Sequence, residues 1–206
     1  FTHPILGFAD SEPIESCLDR IYRAAMPLYA SGKFVVGIGG EHAVTIPLVK
    51  AFSEALSEPF GIVGVDAHFD LRDSYEGTPL SHACIMRRCR EMTRHTLSLG
   101  IRAFSAEEAS FSSQDHVAFV TDRELWERDY QVADMLKKLP DKVYLTIDID
   151  FFSPAEFPGT GTPVPGGPSW WEGLSVIQQV FQAKHVIAMD IMELMPQPQD
   201  SRSDFA

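Results

Sequence analysis

The sequence predicts an α/β protein with a parallel sheet and helices on both of its faces. Two observations carry this. Short apolar runs alternate along the chain with longer segments of helical spacing, the signature of βαβ units. The runs themselves, such as "GIVGV" (61–65) and "VYLTI" (143–147), are almost uninterrupted, as strands buried on both faces must be.

The elements follow in order. "PIESCLDRIYRAAMPLYASGK" places Ile14, Cys17, Leu18, Ile21, Tyr22, Ala25 and Leu28 at helical spacing, and Gly32 sits where a helix stops. "FVVGI" (34–38) is a strand, followed by a Gly-Gly turn and a helix from Val44 to Leu56. "GIVGV" leads to a helix in "HACIMRRCREM", and "LSLGI" (97–101) and "VAFV" (117–120) are strands flanking a helical "SAEEASF". "RELWERDYQVADMLKKL" predicts one amphipathic helix ending at Pro140. "VYLTI", a helix in "WWEGLSVIQQVF" and a last strand "HVIAMDIM" (185–192) complete the pattern. The 17-residue segment "SPAEFPGTGTPVPGGPS" has five prolines and four glycines; loops this long inside a domain are usually functional.

With 206 residues and 45% hydrophobic content, the chain is long enough to bury a core as a single domain. Its formal net charge of −12 argues against nucleic-acid and anionic-membrane partners, which require basic patches. No apolar run reaches the roughly 18–20 residues of a membrane span. Cys17, Cys84 and Cys89 form no CxxC pair and read as reduced, cytoplasmic thiols.

Chemistry concentrates just beyond the strands. The first ends in Glu41 and His42, the second in "DAHFD", the fifth in "DID", and the sixth runs into "DIMEL", with Asp190 and Glu193 as further strand-end acids. Ligands bind open parallel sheets at the carboxyl ends of the strands. Residues i and i+2 of extended chain share a face, which would align Asp66, His68 and Asp70, and also Asp148 with Asp150. Such a set would repel itself and lose hydration unless a cation compensated it. Oxygen-rich and free of thiolate, it suits one or two Mn²⁺ better than a structural zinc, with zinc, iron and cobalt as alternatives. Two metals about 3.5–4 Å apart lower the pKa of a shared water enough to supply hydroxide near neutral pH.

"GGEHAVTIPLVKAF", "DAHFDLRDSYEG", "SHACIMRR", "LTIDIDFFSPAEFPGTGTPVPGG" and "DIMELMPQPQDSR" together resemble the ordered signature of the ureohydrolases, the arginase and agmatinase family. The resemblance implies a three-layer α/β/α fold with a mainly parallel sheet. It also implies hydrolysis of a guanidinium to urea and an amine by a bridging hydroxide in a binuclear manganese site, with two Mn²⁺ per chain. Carried over by motif, His42, Asp66, Asp70 and Asp148 hold one metal, and His68 and Asp150 the other, with Asp66 and Asp148 bridging. Glu193 grips the substrate guanidinium, His82 transfers a proton to the departing amine, and Asp150 helps stabilise the tetrahedral intermediate. Leu71, Arg72, Asp73 and "LSHAC" stand where arginases carry groups for an α-carboxylate. That favours agmatine as the small cationic substrate, with arginine, guanidinobutyrate and guanidinopropionate as alternatives.

The resemblance further implies a cytoplasmic homo-oligomer, trimer or hexamer. It treats residues 1–206 as one catalytic domain lacking N-terminal and C-terminal segments of the family fold. Competing classes are a single-zinc amide hydrolase, disfavoured by the second acid pair, and a binuclear phosphoesterase, whose "GDxxD" and "GNH" motifs are missing. A non-catalytic metal-binding homologue is the third alternative; loss of a ligand or of Glu193 would have favoured it. Trp170 and Trp171 read as packing residues at a helix start, and Arg87, Arg88 and Arg90 as a solvated or subunit-facing helix side. His95, His116 and His185 read as structural.

Overall fold

The computed structural model describes residues 2–127 and 132–198. Among the described residues, six strands form one parallel sheet: β1 (Val35–Ile38), β2 (Gly61–Val65), β3 (Thr96–Ile101), β4 (Ala118–Thr121), β5 (Lys142–Asp148) and β6 (His185–Met192). Their spatial order is β1-β6-β5-β2-β3-β4. The helices are α1 (Ile14–Ala30), α2 (Thr45–Ala55), α3 (Ile85–Cys89), α4 (Ala106–Gln114), α5 (Asp122–Glu127), α6 (Val132–Leu136) and α7 (Trp170–Ala183).

Strand alternation divides the core into two layers. Ile62, Tyr144 and Ala188 pack with Leu18 and Ile21 of α1, Leu48 and Phe52 of α2, and Ile85 and Met86 of α3. Val63, Val65, Leu97, Leu99, Leu145 and Ile147 pack with Met135 and Leu136 of α6 and Val176 and Val180 of α7. The result is the three-layer α/β/α arrangement. β2 and β3 are buried along their whole length, because neighbouring strands and both helical layers cover them. Each fully buried Ile, Leu or Phe contributes about 1.5–3 kcal/mol of transfer free energy.

Local chemistry explains several boundaries. Ser105 and Glu108 form a reciprocal capping box that starts α4. Gly32, at φ 70°, follows α1. Gly100 has φ 96° within β3, where the β3–β4 register slips; a Cβ there would collide with the Phe151 ring. The helix expected over 123–139 is α5 and α6 at its two ends, and its centre lies outside the described residues. Trp170 packs as expected, with its ring 5.5 Å from those of Phe152 and Phe157, but Trp171 is 77% exposed. Arg90 is buried rather than solvated, paired with Asp115 at 2.6 Å and bonded to Thr96, because α3 lays its last turn against the 94–96 and 115 segments. Arg88 likewise pairs with Asp73 at 2.7 Å and Glu91 at 2.9 Å. No helix among the described residues is long and apolar enough to cross a membrane.

Candidate metal centre

Four adjacent strands, β1, β6, β5 and β2, deliver side chains to one edge of the sheet. His42 follows β1 in a tight 3-10 turn, His42–Val44, that runs into α2. Its imidazole is buried, and Nδ1 lies 3.1 Å from Asp148, 3.3 Å from Asp66 and 3.5 Å from Asp70. Despite this crowding, Nδ1 makes no hydrogen bond. His68, on the other side, has Nδ1 2.8 Å from Asp150 Oδ2 and 3.8 Å from Asp66 Oδ1. Asp66 thus turns Oδ2 toward His42 and Oδ1 toward His68. His42, Asp66 and Asp148 form one group whose candidate ligand atoms lie within 4.8 Å of one another; Asp66, His68 and Asp150 form a second, sharing Asp66.

The residues expected from i, i+2 alternation come together by a different route. β5 ends at Asp148, and Asp150 enters through a 3-10 turn, Ile149–Phe151, which Asp148 caps: Asp150 N donates to Asp148 Oδ1 at 2.8 Å. Asp70 enters through a left-handed residue, φ 52°, a conformation Asp tolerates better than most residues. Asp190, read from sequence as another strand-end acid, does not reach the site edge. It lies inside β6, opposite Gly37 and Thr146, and is fully buried.

The electrostatics are those of crowded acids that two imidazoles offset only in part. Burial, reinforced by neighbouring Asp150, pushes Asp66 up to about 6. Burial and the Asp66 charge hold Asp70 and Asp148 well above the ordinary carboxylate range. Burial would also raise Asp150, but the hydrogen bond and charge of His68, with the Ala67 N–H at 3.1 Å, hold it below the usual value. Burial disfavours charged His42, yet the Asp148 and Asp66 carboxylates hold it well above the usual imidazole range. An orphaned, buried imidazole nitrogen facing three carboxylates, with a second imidazole across a shared Asp, fits one or two divalent cations.

The turn after β1 organises the remaining groups. Glu193, at φ 67°, donates its N–H to Gly40 O at 2.8 Å and accepts the His42 N–H at 2.6 Å. Burial raises its carboxyl. Glu41 Oε1 accepts from the His82 N–H at 2.6 Å and lies 3.0 Å from His82 Nδ1. That bond to Glu41 raises the His82 imidazole against the opposing effect of burial. Beside the cluster opens a cavity of about 310 Å³, lined by His68, Asp70, Arg72, Tyr75, His82 and Phe104 among others. Arg72 stacks 5.2 Å over Tyr75 and lies 3.8 Å from Glu108.

Sequence reading missed Arg102. Its guanidinium donates to the carbonyls of Asp150 at 2.6 Å, Phe151 at 3.1 Å and Val164 at 3.3 Å. It thereby joins the second ligand turn to the Pro/Gly segment. An arginine directly after an apolar strand was the available signal. Thr146, whose hydroxyl meets His42 Nε2 at 2.9 Å, gave none, since threonine is an ordinary strand residue.

Comparisons with known proteins bear on the family and the fold. The chain is 43% identical over 195 residues to the N(1)-aminopropylagmatine ureohydrolase of Synechocystis sp.. That match covers 94% of this chain and 62% of the relative. The Agmatinase of Pyrococcus horikoshii is 40% identical over 160 residues, covering 76% of this chain and 53% of that protein. The chain therefore spans less than two thirds of these relatives' length. Among solved structures, the agmatine ureohydrolase of Thermoplasma volcanium superposes with a TM-score of 0.81 at 27% identity, covering 95% of this chain and 66% of that one. Residues 6–206 match the Arginase family as a whole, and the chain belongs to that family.

Proposed function

We propose that this chain hydrolyses a guanidino compound to urea and an amine at a binuclear manganese centre. His42, Asp66, Asp70 and Asp148 would hold one ion, and His68 and Asp150 the other, with Asp66 and Asp148 bridging. The observation that carries the reading is Asp66, whose two oxygens face two different imidazoles. Bound there, the ions would supply an activated water and positive charge for the transition state.

The chain's own residues do the rest. Glu193 receives the planar cation through charge-assisted hydrogen bonds, its carboxylate already fixed by the His42 N–H. Asp150, anchored by Ala67 and His68, adds negative charge where the attacked carbon becomes tetrahedral. His82, oriented by Glu41, gives a proton to the departing amine. Its place on the cavity wall suits a tail leaving between Tyr75 and Phe104.

Agmatine is the substrate we favour. Arg72, the cation in that cavity, stacks on Tyr75 and leans toward Glu108, which disfavours capture of a substrate carboxylate. N(1)-aminopropylagmatine is the second reading, favoured by the 43% identity to a protein named for it. The test is urea release from agmatine, N(1)-aminopropylagmatine and arginine by protein loaded with Mn²⁺. Urea from either agmatine compound and not from arginine supports the proposal, and the faster one identifies the tail. No urea from any of the three, with two ions bound per chain, would overturn it.

A further inference from the structure

Asp190 is fully buried, and three hydroxyls surround its carboxylate. Thr45 and Tyr144 donate to Oδ2 at 2.9 and 2.7 Å, and Thr146 donates to Oδ1 at 2.6 Å. A hydroxyl has a single hydrogen. Thr146 commits its hydrogen to Asp190, so toward His42 Nε2, 2.9 Å away, it can only accept. Nε2 must then carry the ring proton toward Thr146. In the neutral ring that binds a cation, Nδ1, the nitrogen that faces Asp66, Asp70 and Asp148 and makes no hydrogen bond, is therefore the one left with a lone pair.

We infer that Asp190 and Thr146 are positioning residues: a buried, one-directional hydrogen-bond relay that sets the tautomer and aim of the His42 ring from outside the metal cluster. The inference rests on the metal-centre reading above and adds to it a residue from the middle of β6. Its three hydroxyl donors also distinguish Asp190 from a ligand: the carboxylate faces Thr45, Tyr144 and Thr146, while His42 reaches the cluster with the opposite side of its ring. Outer partners of this kind, which orient a ligating histidine through its second nitrogen, typically matter to metal affinity as much as to shape.

The test compares two substitutions that each remove one hydroxyl from Asp190. Thr146→Val breaks the relay, whereas Tyr144→Phe leaves it intact with almost no change in volume. Metal-stripped native protein and variants are titrated with Mn²⁺, and free Mn²⁺ is read by electron paramagnetic resonance. Thr146→Val is expected to weaken one of the two sites by about 10- to 100-fold, and Thr146→Ser to restore it. Tyr144→Phe is expected to lower the denaturation midpoint yet keep Mn²⁺ affinity within about threefold of native. Unchanged affinity in Thr146→Val, or equal weakening in Thr146→Val and Tyr144→Phe, would overturn the relay while leaving the two-metal reading in place. Failure of the native protein to bind Mn²⁺ would remove that reading and the relay with it.

Discussion

Stripping the metal should make the protein's stability depend on pH in an unusual direction. Acids that gain hydrogen bonds or ion pairs on folding normally make a protein more stable as pH rises. Here the folded state binds protons more tightly than the unfolded chain at Asp66, Asp70 and Asp148. Their raised values favour folding at low pH, and that advantage disappears as pH climbs through the folded values. Asp66 moves from 3.8 to about 6, which amounts to about 3 kcal/mol, lost between roughly pH 4 and pH 6. Raised His42 and His68 act with the same sign, their contribution being full below the ordinary imidazole value and lost above the folded one. Asp150, held low by His68, opposes them. For a chain of this size, about 3 kcal/mol corresponds to about 6–12 °C in Tm. Thermal unfolding in chelator from about pH 4 to about pH 8, with and without added Mn²⁺, is the assay. The Tm without metal should fall across that range, and the gain on adding Mn²⁺ should grow. A metal-free Tm that is flat or rises with pH would refute the view that uncompensated acids are gathered at this edge.

Other expectations concern single residues. Glu193→Gln keeps shape but loses the charge that meets a guanidinium; kcat/KM for the guanidino substrate should drop about 10- to 100-fold with Mn²⁺ content unchanged, and unaltered kinetics would exclude the contact. Glu41→Gln keeps an acceptor for His82 but removes its charge, so the His82 pKa should fall. If His82 works as an acid, the high-pH limb of the rate profile should move to lower pH in step with the NMR titration of that ring. Gly100→Ala forces a side chain into a φ of 96° and against Phe151, and should cost at least about 2 kcal/mol by urea denaturation; a neutral result would mean the strand relaxes freely.

What could be read from the sequence was what polarity alone reveals. Asp66, His68, Asp70, Asp148 and Asp150 stand out because carboxylates directly after apolar runs need a reason, and the fold supplies one at a shared edge. Asp190 shows the limit of that reasoning. An acid inside a strand and an acid just past its end look alike in one dimension, and only the register opposite Thr146 separates them. The turns carrying Asp70 and Asp150 were hidden for a similar reason. A left-handed residue and a 3-10 turn reproduce the i, i+2 facing of extended chain without being extended. Arg90 was misjudged because three arginines at helical spacing resemble a wet face, and nothing local announces that Asp115 waits 25 positions later.

If the chain acts as proposed, the guanidinium of Arg102 has a consequence for how substrates would enter. A proline- and glycine-rich stretch beside a reaction centre invites the picture of a swinging door. Here the same cation grips Val164 and the Asp150–Phe151 carbonyls, Ser153 N is tied to Pro168 O at 2.9 Å, and Gly159 O holds Met195 N at 2.8 Å. The stretch is masonry. Moving it would disturb the Asp150 carbonyl, so on the function proposed above the approach open to a substrate is the cavity walled by Tyr75 and Phe104. Variation in tail preference among relatives should then map to the short Tyr75–Thr78 hairpin rather than to the prolines.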